Sequence, residues 1–425
     1  MNGRRREKEG GRLETGDRKQ ETEERSVLFW LLASGCWLLF SGCFQTAQIY
    51  TAQSNYYQGR YDDAVQRLES SEIPARDALL AFLEKGMALQ AAGRYAESAG
   101  AWRLASDLMD KQDIFHAGEE ALSLVFDQNV MSYQPTPYER PFLHALLCMD
   151  YLMLGDVPSA RVEALQALKN LEAREAIVGP MAFVRYVAAR AFEASGDLND
   201  AYIEYRKIDA AGGTDVLPDL LRLSDSLGFA DDQAKYTARA EELDTADRPV
   251  PGPTMPVFVF LGKSPRKVYS EVVLADQYKV LLPVFQTQEN PIRRVVAFTS
   301  GGERFPSAAL TSVEKLASNY SGRLFAKELL KEVLRKKVQE KIVEKVGDKL
   351  GSTTESLLKA VFFFAKEEDL RTWSSLPAQI QLLRASADSA FRISYTDTAQ
   401  KSLGDTEIIP APDSATPPIR LLRAW

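Results

Sequence analysis

The sequence predicts a mostly α protein, a superhelix of paired helices followed by a smaller α+β domain. Three observations predict it. A phrase in which a helix ends at Gly and a second helix soon begins recurs over residues 46–245, with Gly59 and Gly93 34 residues apart. A proline-rich break at 247–256 then stops any helix, because proline lacks a backbone donor and clashes with the preceding turn. Beyond the break, apolar residues recur with period two, the pattern of strands.

In chain order, the first feature is the stretch at residues 27–43, VLFWLLASGCWLLFSGC. Its apolar run, 27–40, has 14 residues, short of the roughly 20 that a spanning helix needs, and suits the core of an export signal. The run closes in Phe40-Ser41-Gly42-Cys43. A lipoprotein signal peptidase accepts only small side chains before its lipidated cysteine, so the mature chain is expected to begin at a lipidated Cys43; an uncleaved membrane anchor and a cleaved soluble product are the alternatives. Cys36 follows a similar Ala33-Ser34-Gly35, but a cut there leaves too short an apolar run. Residues 1–25 carry eight Lys/Arg and seven Asp/Glu, a long and mixed leader where a short basic one is usual. That composition favours a start downstream of Met1, and Arg25 still gives the run a positive flank. Phe44, not Asp, follows Cys43, which favours the outer membrane facing the periplasm over retention at the inner membrane.

The helical repeats, expected over 43–246, come next. Leu83-Glu84-Lys85-Gly86-Met87-Ala88-Leu89 leads into Ala92-Gly93-Arg94-Tyr95, and Gly59, Gly155, Gly196 and Gly228 sit in matching phrases. A helix ends at each Gly because glycine takes the left-handed conformation at low cost. An aromatic or aliphatic residue (Tyr61, Tyr95, Val157, Leu198 or Phe229) follows and packs under the turn, and an Asp, Ser or Glu starts the second helix. The 34-residue spacing is the tetratricopeptide (TPR) period. Leu79, Phe82, Leu83, Gly86 and Leu89 follow helical periodicity, as do Phe183, Tyr186, Val187, Arg190 and Ala191. The later glycine spacings are 62, 41 and 32, so the units are irregular, and an irregular helical bundle is the alternative. The gap of 62 has room for a degenerate unit with a helix at 114–126 and a loop through Pro135, Pro137 and Pro141. Stacked helix pairs present a long concave surface that binds protein or glycan. Tyr61, Tyr95 and Trp102 are the candidate partner-binding residues, since aromatics favour interfaces; packing inside the repeats is the competing role.

In the C-terminal half, 257–425, strands are expected at 257–261, 267–274, 279–285, 294–298 and 390–395, giving a small sheet of three to five strands. Helices return at Thr311, and 324–350 carries an apolar stripe of Leu330, Val333, Leu334, Val338, Ile342 and Val346. Residues 323–349 hold nine Lys/Arg against five Asp/Glu, so this helix suits either an anionic membrane surface or solvent; interleaved Glu332 and Glu344 favour solvent. The apolar run 357–365, with Lys359 inside it, is too short to span a bilayer and reads as a core helix. The segment 367–380 packs Asp369, Arg371, Trp373 and Pro377 closely together. There a carboxylate–Arg pair, Arg371 with Asp369 or Glu367, is expected to brace a turn while Trp373 plugs the core.

Composition narrows the function. A net charge of −7 gives no basic field for nucleic acid. Of three cysteines, Cys36 falls in the signal and Cys43 would carry lipid, so Cys148 is the one free thiol expected in the mature chain, on an apolar helical run where a buried thiol is expected. His116, His144 and Cys148 lack metal-site spacing, so no metal or cofactor is expected. No phosphate loop, dinucleotide fingerprint or nucleophile elbow appears. Acidic pairs such as Asp62-Asp63 and Glu367-Glu368 arise freely among 59 acidic residues.

The order of Cys43, Tyr138-Glu139-Arg140, Gly262-Lys263-Ser264-Pro265-Arg266-Lys267-Val268 and Asp369-Leu370-Arg371-Thr372-Trp373-Ser374-Ser375-Leu376-Pro377-Ala378-Gln379-Ile380 resembles a family of bacterial TPR-type lipoproteins. The resemblance spans most of the mature chain. It implies a periplasm-facing lipoprotein with a repeat half and a mixed half, similar in plan to envelope-assembly lipoproteins. It implies no catalytic residue. The expected function is therefore a lipid-anchored scaffold of a bacterial envelope complex, with envelope proteins as partners. The alternatives are a glycan-acting enzyme using carboxylates of the C-terminal half, and a peripheral membrane element using the 324–350 helix.

Overall fold

The computed structural model describes residues 47–70, 73–119, 132–212, 216–242, 254–273, 279–299, 304–330, 369–386, 390–397, 402–409 and 419–425. The run with Cys36 and Cys43, most of the 247–256 break, the 324–350 helix beyond residue 330, and 357–365 lie outside them. No helix among the described residues is long and apolar enough to cross a membrane.

Among the described residues, five helix pairs build the first half: α1 (47–57) with α2 (Tyr61–Leu68), α3 (Ala78–Ala91) with α4 (Tyr95–Glu119), α5 (Glu139–Leu154) with α6 (Val157–Glu172), α8 (Ala182–Ser195) with α9 (Leu198–Ala211), and α10 (Leu217–Ser226) with α11 (Ala230–Glu242). A short α7 (Glu175–Val178) connects the third and fourth pairs. The turn glycines all adopt positive φ: Gly59 at 74°, Gly93 at 76°, Gly155 at 73°, Gly196 at 84° and Gly228 at 69°. Each lets the chain leave one helix and enter the next within a few residues. At the third turn the Asp156 carboxylate accepts from the Ser159 N–H at 3.2 Å, capping α6, with Pro158 in the first turn. Within the second pair, Gly86 makes room for Trp102: a Cβ added at Gly86 would lie 1.9 Å from the indole Nε1. The missing side chain lets α4 lie against α3 and buries Trp102 completely.

The gap between the second and third turns differs from expectation. No new helix starts at 114, because α4 runs on from Tyr95 through Glu119. Pro141 lies not in a loop but in the first turn of α5, where its missing N–H has no helical acceptor to lose.

The second half contains ten strands in three sheets among the described residues, not a single sheet of three to five. Strand β1 (Thr254–Leu261) lies inside a sheet of order β10-β1-β7-β6, formed with β6 (Ala308–Ser312), β7 (Gln379–Ser386) and β10 (Arg420–Ala424). Strand β10 runs parallel to β1, with Val257 opposite Arg420; β7 runs antiparallel on the other side. Strands β2 (Arg266–Val273) and β3 (Lys279–Gln286) form a two-stranded ribbon. A third sheet orders β5 (Arg304–Pro306), β4 (Arg294–Thr299), β8 (Phe391–Thr396) and β9 (Ser402–Ile409). Helix α12 (313–330) follows β6.

Period-two alternation in β1 explains the layering. Phe258 and Phe260 point to the helices and join the large core; Val257, Val259 and Leu261 point the other way, into a smaller core with Val295, Ala297, Phe391 and Ile393. A strand buried on both faces reads as a continuous apolar run, as 257–261 does. The layers are helices, then the β1 sheet, then the β4 sheet. The large core runs without a break from the helix pairs into the sheet, taking in Leu310, Val313, Trp373, Leu376, Ile380, Leu382 and Ile419.

Candidate functional site

The first helices of the pairs supply the face on which the second half sits. Phe183 of α8 meets Phe258 and Phe260 edge-on, with ring centroids 5.3 and 5.8 Å apart, and its N–H donates to the Thr311 hydroxyl at 2.9 Å. Arg384 of β7 pairs with buried Asp219 of α10. Arg423 of β10 donates to Gln90 of α3 at 2.8 Å, and Gln90 donates in turn to Asp150 of α5 at 2.9 Å. Trp425 packs on Tyr56 and Tyr57 of α1, 5.1 and 5.0 Å between centroids.

The segment 369–376 is the most closely held part of this junction. Arg371 donates to Asp369 at 2.7 Å through Nε and also pairs with Asp77 at the start of α3. Burial opposes the Arg371 charge, but the two carboxylates more than offset it and hold the guanidinium protonated above its usual range. Trp373 is buried; its N–H donates to the Tyr133 hydroxyl at 3.1 Å and its indole N–H to Ser375 at 3.1 Å. The Ser374 N–H donates to Glu84 at 2.8 Å, and the Tyr57 hydroxyl donates to the Ser374 carbonyl. The Ser264 N–H donates to the Leu376 carbonyl at 2.9 Å, tying the segment to the turn before β2.

Three acids at the junction are pushed toward neutrality. Burial raises Glu84 to about 7 against the donors Gln53, Ser374 and Ser375 that favour its charge. Burial likewise raises Glu139, which accepts from Tyr133 at 2.7 Å, to about 7, and Asp150 to about 8. Glu84 is held by Gln53 of α1 and by the 374–375 segment, Asp150 by Gln90 and Ser98 of the neighbouring helix pair, and Glu139 by Tyr133 and Thr136 just before its helix.

One cleft of about 670 Å³ opens between the halves. Its helical wall is α1, through Tyr50, Gln53, Ser54 and Tyr57, with Gln58 in the turn after it; its other wall is Lys263 and four successive residues of β2, Arg266–Tyr269; Leu370, Arg371, Thr372 and Ser374 also line it. Lys263, Arg266, Lys267 and Arg371 line it, with no Asp, Glu, His or Cys among the described lining residues. Arg371 is committed to its carboxylates. Lys263 lies 4.8 Å above the Tyr57 ring, Lys267 5.9 Å from that of Phe285, and Arg266 donates to Gln286 at 3.2 Å. These three cations therefore rest against rings and an amide and leave the cleft positive. Such a lining binds and orients an anionic group, and brings no carboxylate pair together for acid–base chemistry.

The three sequence-predicted binding residues do not converge on this cleft. Trp102 is fully buried inside its repeat, with its indole N–H 3.4 Å from the Leu83 carbonyl, and offers no surface. Tyr61 packs against the large core with its ring 5.7 Å from that of Tyr56. Tyr95 is half-buried near Arg423, Asp150 and Arg420, whose charges act on its hydroxyl. Asp369, Arg371 and Trp373 come together as described, and Pro377 leads from them into β7. Cys148 is buried, its thiol donating to the Ala160 carbonyl at 3.2 Å, and burial pushes its pKa up. His144 lies 2.7 Å from Glu163 across the third helix pair. No cluster of potential metal ligands occurs among the described residues. Reading the sequence missed Lys263, Arg266 and Lys267 as a group. Their signal was available: three cations within five residues, at a turn entering a strand and without an acid among them.

No protein-family model matches the chain, and no curated protein matches it. Among solved structures, it is similar to MamA AMB-1, at 18% identity and a TM-score of 0.32, over 47% of this chain and 98% of that one. It is also similar to MamA from Desulfovibrio magneticus RS-1, at 14% and 0.32, over 48% and 96%. A Podosopora anserina putative kinesin light chain with nearly identical TPR-like repeats matches at 16% and 0.31, over 47% and 93%. At these TM-scores the likeness carries nothing beyond itself. The TPR-like class rests on the helix pairs and left-handed glycines of this chain.

Proposed function

We propose that this chain is a partner-binding adaptor of a bacterial envelope complex, held to a membrane, the outer one by its Cys43-Phe44 sequence, through lipid on Cys43. The observation that carries the reading is the cleft walled by both halves. The first-helix face, which a repeat solenoid ordinarily offers to partners, is taken up by the chain's own sheet. Partner binding then falls to what is left open at the junction, a positive cleft with aromatic and amide walls. The anchor rests on the short apolar run before Cys43.

Tyr50 is 57% exposed at the cleft and is the place to test the adaptor reading. A photo-crosslinking amino acid at Tyr50, activated in living cells, is expected to give a discrete adduct with an envelope protein. Absence of any adduct there, while the protein is folded and abundant, removes the reading. Cys43→Ser should abolish metabolic fatty-acid labelling; labelling that persists moves the anchor to Cys36 or eliminates it.

A further inference from the structure

We infer that the outer face of the β2–β3 ribbon rests on the anionic lipid surface of the membrane that holds Cys43. This goes beyond the adaptor reading and relies on its anchor. Residues of a strand alternate between its faces, and an antiparallel sheet with one covered face normally turns polar residues to water. The ribbon departs from that rule. Val280 and Leu282 of β3 are fully buried, so Leu281 between them lies on the outer face. Leu281 is 45% exposed there, opposite Glu271, with Tyr269 and Val273 as its diagonal neighbours across the ribbon. Val273 is 58% exposed and Tyr269 37%. Phe285, farther along the same face, packs on Tyr320 of α12, so the exposed apolar patch is the part of the face toward Val273. An exposed patch on a ribbon that is apolar on both faces marks a contact surface.

Tether length and charge identify what covers it. From Cys43 to Ala47 in α1 the chain extends at most about 14 Å, and Tyr50 lies about 5 Å further along the helix, so Tyr50 stays within about 20 Å of the lipid's attachment point. Tyr50 and Tyr269 line the same cleft, which brings the ribbon within that reach. Lys263, Arg266 and Lys267 share the cleft wall with Tyr269 and outnumber Glu271, the acid on the outer face among the described residues. On a chain of net charge −7, an anionic surface repels most of the molecule and attracts this rim. Tyrosine at the border of an apolar patch suits the headgroup layer, where one end of the ring is dry and the other wet. Lipid backed by basic residues also holds a membrane more firmly than lipid alone. A soluble protein fits the apolar patch but gives the short tether no role. The cleft itself is left to the partner.

The test uses the full protein, extracted from membranes and reconstituted into phosphatidylcholine vesicles with or without phosphatidylglycerol. A nitrobenzoxadiazole probe is attached at Leu281→Cys or at Val273→Cys, and for comparison at Leu104→Cys, an exposed site on α4; buried Cys148 stays unlabelled. With phosphatidylglycerol present, the probes at 273 and 281 should shift to the blue and be quenched by spin-labelled headgroups, while the probe at 104 stays in water. Arg266→Gln and Lys267→Gln should each lower the docked-to-free ratio about fivefold. Circular dichroism checks that every variant is folded. Probes at 273 and 281 that remain in water beside anionic lipid overturn the inference. Quenching that is equal at 104, equal without phosphatidylglycerol, or dependent on protein density in the vesicle, the mark of a second copy, overturns it too. Intact fatty-acid labelling of Cys43 beside any of these results leaves the anchor standing and removes only the docking. A chain recovered soluble and unlabelled removes both, and the Tyr50 adduct reports on the partner separately.

Discussion

Glu84 joins three parts of the molecule: it sits on α3, accepts from Gln53 of α1 at 2.8 Å and from the Ser374 N–H at 2.8 Å. Its folded pKa, about 7, lies above its unfolded value, 4.5, so its neutral form is the one the fold favours. The corresponding stability is fully present below the unfolded value and is lost as pH rises through about 7, with Asp150 following through about 8. Urea midpoints measured at pH 6 and pH 9 should therefore fall with pH, and Glu84→Gln should flatten the dependence by about 1 kcal/mol. An unchanged slope in the variant would assign the pH dependence to other groups. Trp373→Ala removes the indole from the junction core and should cost about 3–5 kcal/mol in chemical denaturation. A loss under about 1 kcal/mol would mean that the segment 369–376 contributes little to holding the halves.

The turns were the most legible elements. Glycine that must take positive φ leaves a mark at fixed places, and all five expected positions carry it. The tight pairing of α3 and α4 depends equally on Gly86, and Gly86→Val should destabilise by about 2 kcal/mol or more, because Trp102 has no space to yield. A thermal scan showing no loss would place the indole elsewhere. The five expected strands appear as β1, β2, β3, β4 and β8, since each alternates or is wholly apolar. Strands β7 and β10 were harder to read. Strand β7 follows Pro377 with no turn signal between it and the Trp373 segment, and β10 is short, with Arg420 and Arg423 near its ends. Those arginines are not signs of an exposed tail: Arg423 reaches Gln90 on the other half. Long-range partners of this kind leave no local pattern. The cleft was illegible for the same reason, because its walls come from residues about 200 positions apart, brought together only by the packing of sheet on helices.

At the scale of the whole molecule, the shared core matters more than the break in the chain. Phe183, Trp373 and Ile380 belong to one apolar cluster with Leu83 and Phe142. Urea unfolding should consequently show one transition by both tryptophan fluorescence and circular dichroism. Separately expressed 47–242 should bind a hydrophobic dye strongly, as the face beneath the sheet is uncovered. Two resolved transitions, or a dye-silent fragment, would show that the halves are independent. The parallel pairing of β1 with β10 carries a further consequence for synthesis. Val257 must wait for Arg420, 163 positions later by subtraction, and Phe258 on the same strand is the one that caps Phe183. Ribosomes deliver the helices first, so Phe142 and Phe183 emerge bare while more than a third of the chain is still untranslated. During that interval nascent chains are open to capture by a holding chaperone, and β1 stays without its parallel neighbour until Arg420 has emerged.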